Sequence, residues 1–202
     1  MLDIKSHNPF KPKIVELPCL DINHKKLIEW ILCPEGRNLI DREEWVDEHI
    51  QYNIFQQPVK QFYAIYSHIR SFFFTHLNDL GGDRKMQYYI HGWCNILEKL
   101  DRIDWHSHCD FYRSNMYHGI YCVDSAGASH TEYRLPGNNN TFVTLDSQQG
   151  CGHIISDMTT EHRTSENLSE TPRITIAFDI IDFEHYCQTK DTKVGNQFIP
   201  LG

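Results

Sequence analysis

His108 and Asp110 stand one residue apart in Trp105-His106-Ser107-His108-Cys109-Asp110. If that segment is extended, alternate side chains share a face and both reach one ion. His162 lies further along the chain and can close the triangle. Two imidazoles and one carboxylate that leave neighbouring positions open make the ligand set of a non-haem Fe(II) oxygenase. Arg173 follows His162 with ten residues between them, inside an apolar run, and a cation there suits a ligand with a distal carboxylate. His106-Ser107-His108 is itself a His-x-His, so a three-histidine set of His106, His108 and His162 stands beside the set His108, Asp110 and His162. The set with Asp110 is preferred here because an anionic ligand balances Fe(II) better. Cys109 is expected to point away from the ion and pack, since thiolates favour zinc or a cluster. His118, His130 and His153, on or near strands, read as ordinary core or solvated histidines.

In order and spacing, His108-Cys109-Asp110, His162 and Arg173-Ile174-Thr175 resemble the Fe(II)- and 2-oxoglutarate-dependent oxygenases, over residues 85–181. The resemblance implies Fe(II) held by His108, Asp110 and His162. It implies 2-oxoglutarate chelating the iron, with its far carboxylate on Arg173 and a hydrogen bond from Thr175. Dioxygen is the second co-substrate. An unactivated carbon is hydroxylated, with release of succinate and carbon dioxide, and a peptidyl or prolyl side chain is the first guess at substrate. The implied fold is mainly β (α+β), a double-stranded β-helix (jelly roll, cupin-like) with N-terminal helices packed on one sheet. A non-catalytic cupin-like metal-binding module is the alternative, and it has no need of the Arg173 and Thr175 pair.

The elements that would carry this site are legible in part. Val59, Phe62, Tyr66, Ile69, Phe73, Leu77 and Leu80 recur at helical steps between Pro58 and Gly81-Gly82, which predicts a core-facing helix over 58–80. A shorter helix carries Leu27, Ile28, Ile31 and Leu32, capped by Asp21 or Asn23 and ended near Pro34-Glu35-Gly36. Residues 37–56 settle on no period. Strands are expected over 85–97, 117–123, 131–135, 141–145, 152–156 and 173–181, short and separated by turn residues, as in an all-β sandwich or barrel. In the last of them Ile174, Ile176, Phe178 and Ile180 share one face, and Arg173, Thr175, Ala177 and Asp179 the other. The oxygenase reading turns that second face inward and buries Arg173; an ordinary edge would expose it. Tyr88, Tyr112, Tyr121 and Asn95 are candidates for the pocket lining.

The 202 residues are expected to form one domain, with a helical part over 1–84, a core over 85–181 and a tail over 182–202. A formal net charge of −8 argues against a nucleic-acid partner. Seven scattered cysteines, with no CxxC pair, read as reduced thiols. Met1–Pro12 shows no signal-peptide pattern and no run reaches membrane-spanning length, so a cytoplasmic protein is expected.

Overall fold

Ten consecutive buried residues, Arg173–Asp182, form the central strand of the computed structural model, which describes residues 12–40, 52–109, 115–127, 129–134, 142–192 and 197–202. A strand buried on both faces needs a layer on each side, and the chain supplies two different ones. The strands in chain order are β1 (Ile14–Leu17), β2 (Tyr88–Leu97), β3 (Met116–Asp124), β4 (His130–Arg134), β5 (Phe142–Asp146), β6 (Gly152–Ile155), β7 (His162–Thr164), β8 (Arg173–Asp182) and β9 (Ile199–Pro200). They make a six-stranded sheet ordered β1-β6-β3-β8-β2-β9 and a three-stranded sheet ordered β5-β4-β7. All the pairings are antiparallel. Among the described residues the architecture is mainly β with four α-helices, and it is consistent with a cupin-like fold.

The helices are α1 (His24–Leu32), α2 (Pro34–Ile40), α3 (Lys60–His76) and α4 (Phe183–Thr189). Asn23 caps α1 by accepting from the Lys26 amide. Pro34 ends that helix, as expected, and opens α2, which runs on into the stretch whose period was indistinct. Phe62, Ile65, Ile69 and Phe73 of α3 are fully buried against the larger sheet, each worth about 1.5–3 kcal/mol of burial. Phe73 meets Tyr88 and Tyr117 edge-on at 5.0 Å. Tyr66 is half-exposed instead and donates its hydroxyl to the Pro200 carbonyl, which tethers the C-terminal strand to the helix.

The packing face of β8 is the apolar one, Ile174, Ile176, Phe178 and Ile180, all in the core shared with the helices. Phe178 is bracketed by Gly92 and Gly119, its partners on β2 and β3. A Cβ on Gly119 would lie 2.2 Å from the Phe178 ring, so only glycine admits it there. The opposite face, with Arg173, Thr175, Ala177 and Asp179, turns toward the smaller sheet and is buried too.

Tyr88 and Tyr121 sit in the helix-side core, not in the space between the sheets, which corrects their assignment to a pocket lining; Tyr112 lies outside the described residues. The thiols also differ from expectation. Cys19 and Cys151 form a disulfide across 132 residues, while Cys33, Cys94, Cys109, Cys122 and Cys187 are not disulfide-bonded. The Leu20 amide donates to the Gly150 carbonyl beside it, so the lead-in is docked where sequence spacing gives no hint. Cys151→Ser is expected to lower stability by about 2–4 kcal/mol, read from the urea midpoint in the absence of reductant. An unchanged midpoint would mean that the pair does not form. No helix among the described residues is long and apolar enough to cross a membrane.

Candidate metal centre and anion site

Residues 103–108 run antiparallel along the outer edge of β7. The Thr164 amide donates to the Ile103 carbonyl, and the amides of His106 and His162 donate to one another's carbonyls at 3.0 and 2.9 Å. His106 bridges His162 there, and the rings of His106 and His108, 5.4 Å apart, both turn inward beside His162. Trp105 falls on the other face, where its ring lies under the guanidinium groups of Arg134 (4.3 Å) and Arg163 (4.8 Å). Those arginines pair in turn with Glu161 and Glu132, so the outer face of the smaller sheet braces the histidine strand.

Inside, four imidazoles and one carboxylate meet. The rings of His106 and His162 are 4.3 Å apart, those of His108 and His162 5.1 Å, and those of His108 and His118 4.0 Å. One ligand atom from each of His106, His108 and His162 lies within 4.8 Å of the others. The same holds for His108, His118 and Asp179. Asp179 faces His118 directly across β8 and β3 and accepts from the Nδ1 atoms of both His118 and His108, each at 2.9 Å. His118 Nε2 is buried without a partner among the described residues. Asp110 lies outside the described residues. Cys109 packs against the small apolar group of Tyr89, Met158 and Ile181.

Burial dominates the electrostatics. It holds His118 down to about 4, aided by repulsion from His108, and His153 down to about 3. It also keeps His162 well below the usual imidazole range, with neighbouring histidines adding to the effect, and lowers His106 and His91. Burial pushes the Asp179 carboxyl up, but His108 and His118 outweigh it and hold the group well below the usual carboxylate range. Neutral imidazoles are the form that binds a metal.

Arg173 is 0% exposed. Its Nη2 donates to Thr131 Oγ1 (3.2 Å) and Ser147 Oγ (3.0 Å), its Nη1 to the His130 carbonyl at 3.5 Å, and its Nε has no partner among the described residues. Every one of these acceptors is neutral, and among the described residues no carboxylate pairs with it. Thr175, two residues on, is buried on the same face. Thr131 and Tyr133 share a face of β4, about 7 Å apart. Thr131 touches Arg173, whereas the Tyr133 ring lies 5.2 Å from His162. One face of β4 thus carries a contact to the cation at Thr131 and, two residues on, a contact to the imidazole cluster at Tyr133. Tyr133 also shares a 2.7 Å hydrogen bond with His153, both inside.

His118 and His153 are buried core histidines, hydrogen-bonded to Asp179 and Tyr133, and His130 pairs with Glu132 near the surface; what the sequence reading did not give is the place of His118 beside the cluster. The signal for Asp179 was available. It stands on the inward face already marked by Arg173 and Thr175, in a strand with no exposed residue.

No protein-family model and no curated protein matches the sequence. Solved structures do match in fold. AviO1 from Streptomyces viridochromogenes Tue57 aligns over 86% of this chain and 91% of its own at TM-score 0.57 and 14% identity. The non-haem α-ketoglutarate-dependent epimerase SnoN of nogalamycin biosynthesis aligns over 84% and 77% at TM-score 0.55 and 12% identity. The α-ketoglutarate-dependent carbocyclase SnoK of the same pathway aligns over 84% and 79% at TM-score 0.55 and 10% identity. SnoN has also been solved with Fe3+ and α-ketoglutarate bound. The oxygenase resemblance read in the sequence is thus matched by structures of iron- and 2-oxoglutarate-dependent enzymes that share this fold.

Proposed function

We propose that this chain is a Fe(II)- and 2-oxoglutarate-dependent dioxygenase that hydroxylates an unactivated carbon. The observation that carries the reading is Arg173. A guanidinium wholly buried among neutral acceptors, linked along one face of β4 to a cluster of imidazoles, fits an anionic ligand that reaches from one to the other. Thr175, on the same face, is assigned a hydrogen bond to that ligand's distal carboxylate. His108 and His162 belong to the ligand set whichever of His106 and Asp110 completes it. The donor chemistry suits Fe(II): imidazole binds it, Cys109 packs against an apolar group, and burial disfavours the protonated form of His162.

Sheet order supports a jelly roll. With the His106 segment counted as a fourth strand, β5-β4-β7 plus that segment opposes β6-β3-β8-β2. In this reading residues 1–202 are one domain, with the core over 85–181. Iron, 2-oxoglutarate and dioxygen together supply the oxidising power, with succinate and carbon dioxide released. The chain's own part is to hold the diacid by its far end, orient the imidazoles and keep water from the enclosed space. A peptidyl side chain is the first substrate class to assay.

The test is anaerobic titration of the Fe(II)-loaded protein with 2-oxoglutarate. A visible charge-transfer absorption that saturates with 2-oxoglutarate, and is not produced by succinate, is expected. Its absence from iron-loaded native protein would overturn the oxygenase reading in favour of a metal-binding module.

A further inference from the structure

We propose that the metal centre is built from imidazole alone, His106, His108 and His162 each presenting Nε2, with Asp179 the positioning carboxylate one layer out. The proposal rests on the metal-binding part of the function above and departs from the two-histidine, one-carboxylate set.

The hydrogen bonds on the Nδ1 side carry the argument. His106 Nδ1 lies 2.9 Å from the Asp104 carbonyl, His108 Nδ1 lies 2.9 and 3.1 Å from the two Asp179 oxygens, and His162 Nδ1 lies 3.4 Å from the Thr160 carbonyl. A carbonyl or an ionised carboxylate only accepts, so each Nδ1 must carry the proton. Each ring is then left with its Nε2 lone pair. A metal-ligating histidine usually donates its other ring N–H to a carboxylate or carbonyl in this way. The antiparallel bridge between His106 and His162 places two of the rings side by side, and the His108 ring, 5.4 Å from His106 and 5.1 Å from His162, adds the third.

The rival trio of His108, His118 and Asp179 has the familiar composition but the wrong contacts. Both Nδ1 atoms already stand at hydrogen-bond distance from the carboxylate. A metal placed there would have to displace two charge-assisted bonds in a largely buried site. Asp179 instead supplies negative charge through the His108 ring, and His118 holds the carboxylate from its other side. Three protein donors also match an ion that must accept a bidentate co-substrate and keep one position open.

Cobalt(II) is the probe. In the Co(II)-loaded protein the ring N–H protons of ligated histidines give strongly shifted proton resonances that vanish in D2O. Three such signals are expected in the native protein and in Asp110→Asn. In His106→Ala, checked by circular dichroism for native folding, at most two signals or loss of binding is expected. Asp179→Asn keeps the shape and a weaker acceptor; it is expected to retain three signals, move one of them, and weaken Co(II) binding about 10–100-fold. Two signals that persist in His106→Ala and are lost with Asp110→Asn would overturn the proposal while leaving the oxygenase reading intact. Complete loss of Co(II) binding in Asp179→Asn would overturn it by making Asp179 a ligand. Three cobalt signals without a 2-oxoglutarate band in the iron protein would support the ligand set and remove only the oxygenase reading.

Discussion

Arg173→Met is expected to raise the 2-oxoglutarate concentration needed to saturate the iron protein by about 10²–10³-fold, while the ligand-free protein becomes no less stable. The two halves of that result have different causes. A buried guanidinium that binds a carboxylate through two N–H groups makes a bond worth about 2–5 kcal/mol, and each 1.4 kcal/mol is tenfold in affinity. Without a ligand the same group is a cost. It has given up its hydration for two hydroxyls and a distant carbonyl, and its Nε has no partner among the described residues. Methionine fills similar volume without the charge, and such replacements of buried charge are neutral or stabilising by about 1–4 kcal/mol. Arg173→Lys should recover the charge but not the fork, so only part of the affinity returns. If Arg173 were a structural pillar the outcome would be opposite: Arg173→Met would lower the urea midpoint strongly and leave the 2-oxoglutarate requirement of the folded fraction unchanged.

What could be read in the residues and what could not divide along physical lines. Strand β8 was legible because its alternation is complete: branched apolar residues at 174, 176 and 180 mark one face, and Arg173, Thr175 and Asp179 mark the other. Helix α3 was legible because seven apolar positions repeat at helical steps, although Ile65 takes the buried place expected of Tyr66. Which tyrosine faces the site was not legible. Both faces of the larger sheet are buried, so parity alone cannot say that Tyr88 and Tyr121 turn to the helices while Tyr133 on the other sheet turns inward. The roles of His118 and His153 depend on register, since His118 becomes significant only by lying opposite Asp179. Strand β7 has three residues, too few for any period, and it is recognisable only through its hydrogen bonds to β4 and to the His106 segment. The Cys19–Cys151 bond joins segments too far apart for spacing to suggest it.

The ligand-free protein should lose stability steeply on mild acidification, well before its carboxylates titrate. His118 and His153 are held by burial at about 4 and about 3, while the unfolded chain protonates both near the ordinary 6.5. Between those values the unfolded state binds protons that the native state refuses, so stability rises with pH across the window and falls as pH drops through it. Above 6.5 neither state is protonated and the effect is absent. Each imidazole contributes about 1.4 kcal/mol per pH unit, so the pair costs about 4 kcal/mol between pH 6.5 and 5. Asp179 does not offset this. Its native carboxyl is held below the usual range, so the stability it provides persists until pH falls below the ordinary 3.8. The proton is refused at His153 chiefly because the ring is fully buried, with repulsion from His118 and Arg173 adding to the effect. At His118 the refusal comes from full burial beside His108. Urea midpoints measured from pH 7.5 to 5 should fall accordingly, and His153→Gln should remove about half of the slope while keeping an acceptor for Tyr133. A flat profile over that range would mean that these two rings are open to water.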